Sequence, residues 1–218
     1  MKIKTIVFDF DGVIVLGSEL AKHRAWLEMF AGQGESVAAL VVTAREKFSL
    51  GRGSRFDILA DVFTQLGHTE QDIPKLVNDY AERYNQTVLW AILSEGVLIR
   101  DRKFLNGLSP KLPLYLSTAT PQEAIDNIIS LLDLNQIFKT VYGAPNNKLE
   151  TLKAIAQHET ITPEHMLFVG DGEGDYKAAQ DFACHFVGIT NEHNHWLQKD
   201  FDFPVISNIA ELANVVEL

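Results

Sequence analysis

The chain has a single cysteine, Cys184, among its 218 residues. That excludes an intrachain disulfide and a thiolate-rich zinc site, and it fits a reducing compartment. Basic residues are also in short supply: 19 Lys and Arg stand against 29 Asp and Glu, a formal net charge of -10. Such a field repels duplex nucleic acid and anionic membrane surfaces, so neither is expected as a partner. No apolar run approaches the roughly 20 residues of a membrane span. The opening MKIKTIVFDF is too short, and reaches its acids too early, for a signal peptide, so a cytoplasmic location is expected. Core-forming material is not lacking. Hydrophobic residues make up 46% and charged residues 22%, enough for one packed domain or for a core domain with a smaller insert.

Three short apolar runs end abruptly in polar residues or glycine. They are TIVF before Asp9, LPLYL before Ser117 and Thr118, and MLFVG before Asp171. Each reads as a buried strand delivering a loop. Helical stripes alternate with them. In PQEAIDNIISLLDL, residues Ile125, Ile128, Ile129 and Leu132 recur at helical spacing, with Thr120, Pro121 and Glu123 expected as N-cap, first helical residue and capping acid. KLETLKAIAQH carries a similar stripe through Leu149, Leu152 and Ile155. Strands apolar on both faces, alternating with helices, imply an α/β fold: a doubly wound parallel sheet covered on two sides. Residues 17–91 break the rhythm with four helical patterns and no strand, and are expected to form a second, smaller all-helical domain. The core domain is then 1–16 with 92–218.

Open α/β sheets bind ligands beyond the carboxyl ends of their strands, so the residues ending the three runs should meet. They bring together Asp9, Asp11, Ser117, Thr118, Asp171 and Asp175, with Lys148 heading a helix nearby. Carboxylates, a hydroxyl and an ammonium are what phosphoryl transfer assisted by Mg2+ requires. Asp9 and Asp11, two apart at a strand end, point to the same side, one as nucleophile and one as proton donor. Asp9, Asp11, Asp171 and Asp175 are the candidate metal ligands, Asp9 and Asp171 directly, since Mg2+ takes oxygen donors and commonly one or two carboxylates. Lys148 and Ser117 would hold the phosphoryl oxygens.

DFDGV from Asp9, the strand ending at Ser117, Lys148, and GDGEGD from Gly170 occur in the order of the four motifs of the haloacid dehalogenase-like superfamily, which the chain resembles over nearly its whole length. The resemblance implies that Asp9 is the nucleophile and Asp11 the acid/base. It also implies that the helical insert is a cap closing over the site, and that the substrate is a small phosphorylated metabolite handled by a monomer or homodimer. Halide-removing members lack the second acid, so Asp11 argues for phosphate chemistry. Thr118 stands where many relatives carry asparagine and is expected to take over its role in substrate or loop binding. Arg52 and Arg55 lie at a glycine-rich turn where relatives similar to beta-phosphoglucomutase and phosphoglycolate phosphatase place substrate-reading residues. Substrate contact and solvated turn both remain open for them. A phosphomutase would share every core residue and pass the phosphoryl group to a sugar instead of water. A non-catalytic regulatory role on the same fold has no sequence feature in its favour.

Other features read as structural. Asp200 and Asp202 have no apolar strand before them and Pro204 after, which marks a solvated loop. His193 and His195 fall in a polar connection, Trp26, Phe30 and Phe48 suit a helical core, and Cys184 in FACHFVGI suits a buried strand.

Overall fold

The computed structural model describes residues 2–48, 54–95, 98–191, 194–198 and 200–216. In chain order the elements begin with β1 (Thr5–Phe8) and β2 (Val15–Leu16), followed by helices α1 (Ser18–Met29), α2 (Glu35–Lys47), α3 (Arg55–Gln65) and α4 (Ile73–Glu95). Next come β3 (Leu98–Ile99), α5 (Arg102–Leu108), β4 (Leu114–Pro121), α6 (Gln122–Leu131), β5 (Thr140–Ala144) and α7 (Lys148–Glu159). The chain continues with β6 (Met166–Gly170), α8 (Glu173–Phe182), β7 (His185–Ile189), β8 (Val205–Ile206) and α9 (Leu212–Val215). It divides into two compact units, Met1–Gly17 with Val97–Leu218, and Ser18–Gly96.

The first unit is an α/β fold around a six-stranded sheet in the order β5-β4-β1-β6-β7-β8, every neighbouring pair parallel. All residues of β1 and β6 are buried, as continuous apolar runs in the middle of a covered sheet must be. Val7, Tyr115 and Phe168 from adjacent strands pack with Leu152 and Ile155 of α7 and Ala179 of α8. At the edge, Phe186, Phe203 and Trp196 join Tyr176 in an aromatic cluster, with Tyr176 and Phe203 centroids 4.5 Å apart. Cys184 stands one residue before β7, half-buried.

Register aligns the strand tips. Phe8 is level with Leu116 of β4 and Val169 of β6, so one residue further along brings Asp9, Ser117 and Gly170 abreast. Asp9 continues the ladder, its N–H donating to Val169 O at 2.9 Å.

The start of α6 differs from the sequence expectation. β4 runs on to Pro121, which occupies the N-cap position without a side-chain cap. Thr120 is extended, and its hydroxyl donates a long, 3.5 Å hydrogen bond to Asp11 Oδ2 instead of capping the helix. The apolar stripe is as expected, with Ile125, Ile128 and Ile129 buried.

The second unit is all helical in its described residues. Ser54 and Asp57 form a capping box at α3. The core is aromatic: Trp26 of α1 lies 4.9 Å from Tyr84 of α4, and Phe63 of α3 lies 5.0 Å from Tyr80. Trp26 and Phe30 are buried there, while Phe48 is half-buried beneath the Lys47 ammonium, 5.0 Å away. Lys47 also pairs with Asp61 at 2.5 Å, tying α2 to α3.

Candidate active site

The tip of β1 turns sharply. Ile14 N–H donates to Phe10 O at 2.9 Å and Gly12 N–H to Val15 O at 2.9 Å, so Asp9 and Asp11 flank a tight loop. Gly12 has φ +75, and a Cβ there would collide with Asp171 Oδ2 and lie 2.7 Å from Asn191 Nδ2. Only glycine lets the loop approach Asp171 this closely. Gly170 has a similar role: a Cβ on it would sit 2.5 Å from Asp175 Cγ, so its absence lets Asp175 fold back from α8 under the strand tip.

Asp9, Asp171 and Asp175 come together, with one carboxylate oxygen from each within 4.8 Å of the others. Lys148, at the first position of α7, reaches into the same place. Its Nζ stands 3.0 Å from Asp9 Oδ2, contacts Asp175 Oδ1, and lies 6.0 Å from the Phe168 ring centre. Asn147 caps α7 by accepting from Glu150 N–H and so fixes the end from which Lys148 extends. Asp175 uses both oxygens, Oδ2 accepting from Gly172 N–H at 3.0 Å and so satisfying a free donor at the start of α8. Ser117 and Thr118, within β4 where it passes the tip of β1, are buried, and Thr118 Oγ1 accepts from Thr120 N–H at 3.2 Å. Asp11 lies outside the close group of three, against Thr120.

Burial pushes the Asp9 carboxyl up to about 8, against the pull of Lys148, and Asp175, Asp171 and Asp11 add to the rise. Burial also raises Asp171, to about 6, with Asp175 adding and the Asn191 hydrogen bond opposing. Burial alone would lower Lys148, but Asp175 and Asp9 outweigh it and hold the ammonium above its ordinary range. Buried Asp9 and Asp175 and half-buried Asp171 thus crowd around the Lys148 ammonium, with the Arg100 guanidinium also acting on Asp171, and the crowding raises the cost of their charged forms, which a further cation would relieve. Oxygen donors of this kind suit a hard divalent ion such as Mg2+.

Two further residues at the site escaped sequence reasoning. Asn191, two residues beyond β7, donates to Asp171 Oδ2 at 2.5 Å. Arg100 is buried, yet its guanidinium holds backbone carbonyls: Gly12 O at 3.2 Å, Thr190 O at 3.4 Å, and Ser207 O. The rule that parallel strands end in functional residues would have reached Asn191 had β7 been counted with the other three. Arg100 had no such signal, because its partners are main-chain atoms far away in sequence.

Of the two arginines for which substrate contact and solvated turn were both open, Arg52 lies outside the described residues. Arg55 turns toward α4, its guanidinium 5.1 Å from the Tyr84 ring centre and bonded to Asn85 Oδ1. His193 also lies outside the described residues, and Asp202 accepts from Tyr176 Oη at 2.7 Å in an exposed setting.

Comparison with known proteins gives consistent results. Residues 3–182 match the family model described as haloacid dehalogenase-like hydrolase. The phosphoglycolate phosphatase of Escherichia coli K12 is 34% identical over 98 residues, a stretch that covers 43% of this chain and 39% of that enzyme. The HAD-hydrolase YfnB of Bacillus subtilis, whose structure is bound to magnesium, shares the fold with a TM-score of 0.72 at 16% identity over 100% of both chains. A haloacid dehalogenase-like family hydrolase from Streptococcus pneumoniae gives a TM-score of 0.66 at 20% identity, over 97% of this chain and 98% of that one. The match over residues 3–182 takes in every acid of the cluster as well as Lys148, and on that extent this chain belongs to the haloacid dehalogenase-like hydrolases.

Proposed function

We propose that the protein is a Mg2+-dependent phosphatase that hydrolyses a small phosphorylated metabolite through an aspartyl-phosphate on Asp9. The observation that carries this reading is the convergence of Asp9, Asp171 and Asp175 within 4.8 Å, with Lys148 Nζ 3.0 Å from Asp9. The partial likeness to phosphoglycolate phosphatase supports a small phosphate ester as substrate.

An Asp9 oxygen attacks phosphorus as the bond to the ester oxygen breaks, and Asp11, as the acid, gives its proton to the departing alkoxide. The Asp11 carboxylate then takes a proton from water, whose oxygen attacks the aspartyl-phosphate and releases inorganic phosphate and free Asp9. Mg2+, held by Asp9 and Asp171, would keep Asp9 ionised and offset the charge of the phosphoryl group. Lys148 and the Ser117 hydroxyl bind phosphoryl oxygens, and Thr120 steadies Asp11. Asp175 aims Lys148 through Oδ1 and accepts from Gly172 N–H through Oδ2, and it stays beside Asp9 and Asp171 as a further candidate ligand. The helical unit is read as the cap, and Arg55 and Arg52 as its candidates for substrate contact.

The test is hydrolysis of an aryl phosphate with and without Mg2+, for the parent and for Asp9→Asn. Turnover that needs Mg2+ and falls by roughly 10^4-fold or more in the variant is expected. Turnover indifferent to metal, or an Asn variant as active as the parent, refutes the reading.

A further inference from the structure

Asp171 is fastened from outside the acid cluster. Its Oδ2 accepts from Asn191 Nδ2 at 2.5 Å, its backbone carbonyl accepts from Asn194 Nδ2 at 2.9 Å, and Gly12 leaves no room beside Oδ2. Asn191 is itself fixed, with Oδ1 accepting from Asn194 N–H at 3.0 Å and its own N–H donating to Asn194 Oδ1 at 3.1 Å. An amide whose oxygen already accepts a main-chain N–H must turn its NH2 the other way, here toward Asp171. Behind this loop, Arg100 joins Thr190 O and Gly12 O, at 3.4 Å and 3.2 Å, so the two walls around Asp171 Oδ2 are held together.

We propose that Asn191 is a positioning residue for the metal ion. By engaging Oδ2 of Asp171 it stops the carboxylate from rotating and presents Oδ1 to the cation. This inference rests on the Mg2+ site of the proposed function. A neutral donor suits the task, since a lysine or arginine in its place would neutralise Asp171 and compete with the ion. Outer hydrogen bonds to metal-ligating carboxylates typically contribute about 10–100-fold in metal affinity. If Asn191 served only its loop, the folded protein would bind Mg2+ equally well without it.

Calorimetric titration of the full chain with MgCl2, without substrate, separates these roles for the parent, Asn191→Ala and Asn191→Ser. Serine keeps an oxygen near Asn194 N–H but is too short to reach Asp171, so it covers the case in which alanine disrupts the loop. The expected result is a loss of about 10–100-fold in Mg2+ affinity for the folded variants, with KM for an aryl phosphate at saturating Mg2+ little changed. Variants that bind Mg2+ within about threefold of the parent, well inside that range, overturn the role of Asn191 and leave the proposed function standing. A parent that takes up no Mg2+ overturns both.

Discussion

Lys148 stands between Asp9 and Asp175, its ammonium 3.0 Å from the first and in contact with the second. Asp175 is anchored in turn by the Gly172 N–H at 3.0 Å. The ammonium is therefore steered by a carboxylate at the start of a helix, and the start of α8 helps decide where positive charge meets Asp9.

Asp175→Asn tests that steering. The amide can still accept from Gly172 N–H but loses the charge that draws Lys148 away from Asp9. A fall in kcat of about 10-fold or more is expected, matching the loss of a charged hydrogen bond of about 1.5–3 kcal/mol. The helix should persist, and circular dichroism beside steady-state kinetics checks both points.

Lys148→Met removes the ammonium that pairs with buried Asp9 and Asp175. A loss of about 3 kcal/mol or more in metal-free stability is expected from an unpaired buried charge. Added Mg2+ should recover part of it. Urea unfolding with and without MgCl2 measures the difference.

Gly12→Ala places a methyl where φ is +75 and where the new carbon would strike Asp171 Oδ2. Strain of about 1–3 kcal/mol and displacement of Asp171 should lower both the melting temperature and the Mg2+ affinity. A variant melting and binding like the parent would contradict the close approach.

Arg100→Met leaves the carbonyls of Gly12, Thr190 and Ser207 without their shared donor. Each lost charge-assisted hydrogen bond weighs about 1.5–3 kcal/mol, so a drop of several kcal/mol in urea unfolding is expected. Arg100→Lys should recover only part, because an ammonium cannot span three carbonyls as a planar guanidinium does.

Burial pushes the Cys184 thiol up to about 12. The folded state keeps its proton where the unfolded chain loses it, so this contribution to stability is intact below about pH 8.5 and fades as pH climbs toward 12, by about 1.4 kcal/mol per unit. At pH 8 the native protein should react slowly with iodoacetamide and quickly once unfolded, which mass spectrometry resolves.

The sheet centre was legible because β1, β4 and β6 are continuous apolar runs that stop at acids or hydroxyls, and register then sets their tips side by side. The helices of the insert were equally plain from their periodicity and glycine turns. β5 was not, since Thr140–Ala144 is an edge strand with exposed and half-exposed positions and a glycine inside it. Thr120 misled in a specific way: a hydroxyl before Pro121 has the chemistry of a helix cap, but Asp11 claimed it across the fold. Arg100 went unseen because recognition of main-chain carbonyls leaves no periodic trace in sequence, whereas Asn191 carries the strand-end signal of β7.

The small ribbon of β2 and β3 makes the insertion point of the helical unit self-contained. Leu16 pairs antiparallel with Leu98, so the strand leaving the sheet-bearing unit and the strand returning to it are already clasped at their ends. Whatever lies between them is appended at a seam that a tight turn could also close. Helical segments of different length fit there without disturbing the register that aligns the acids.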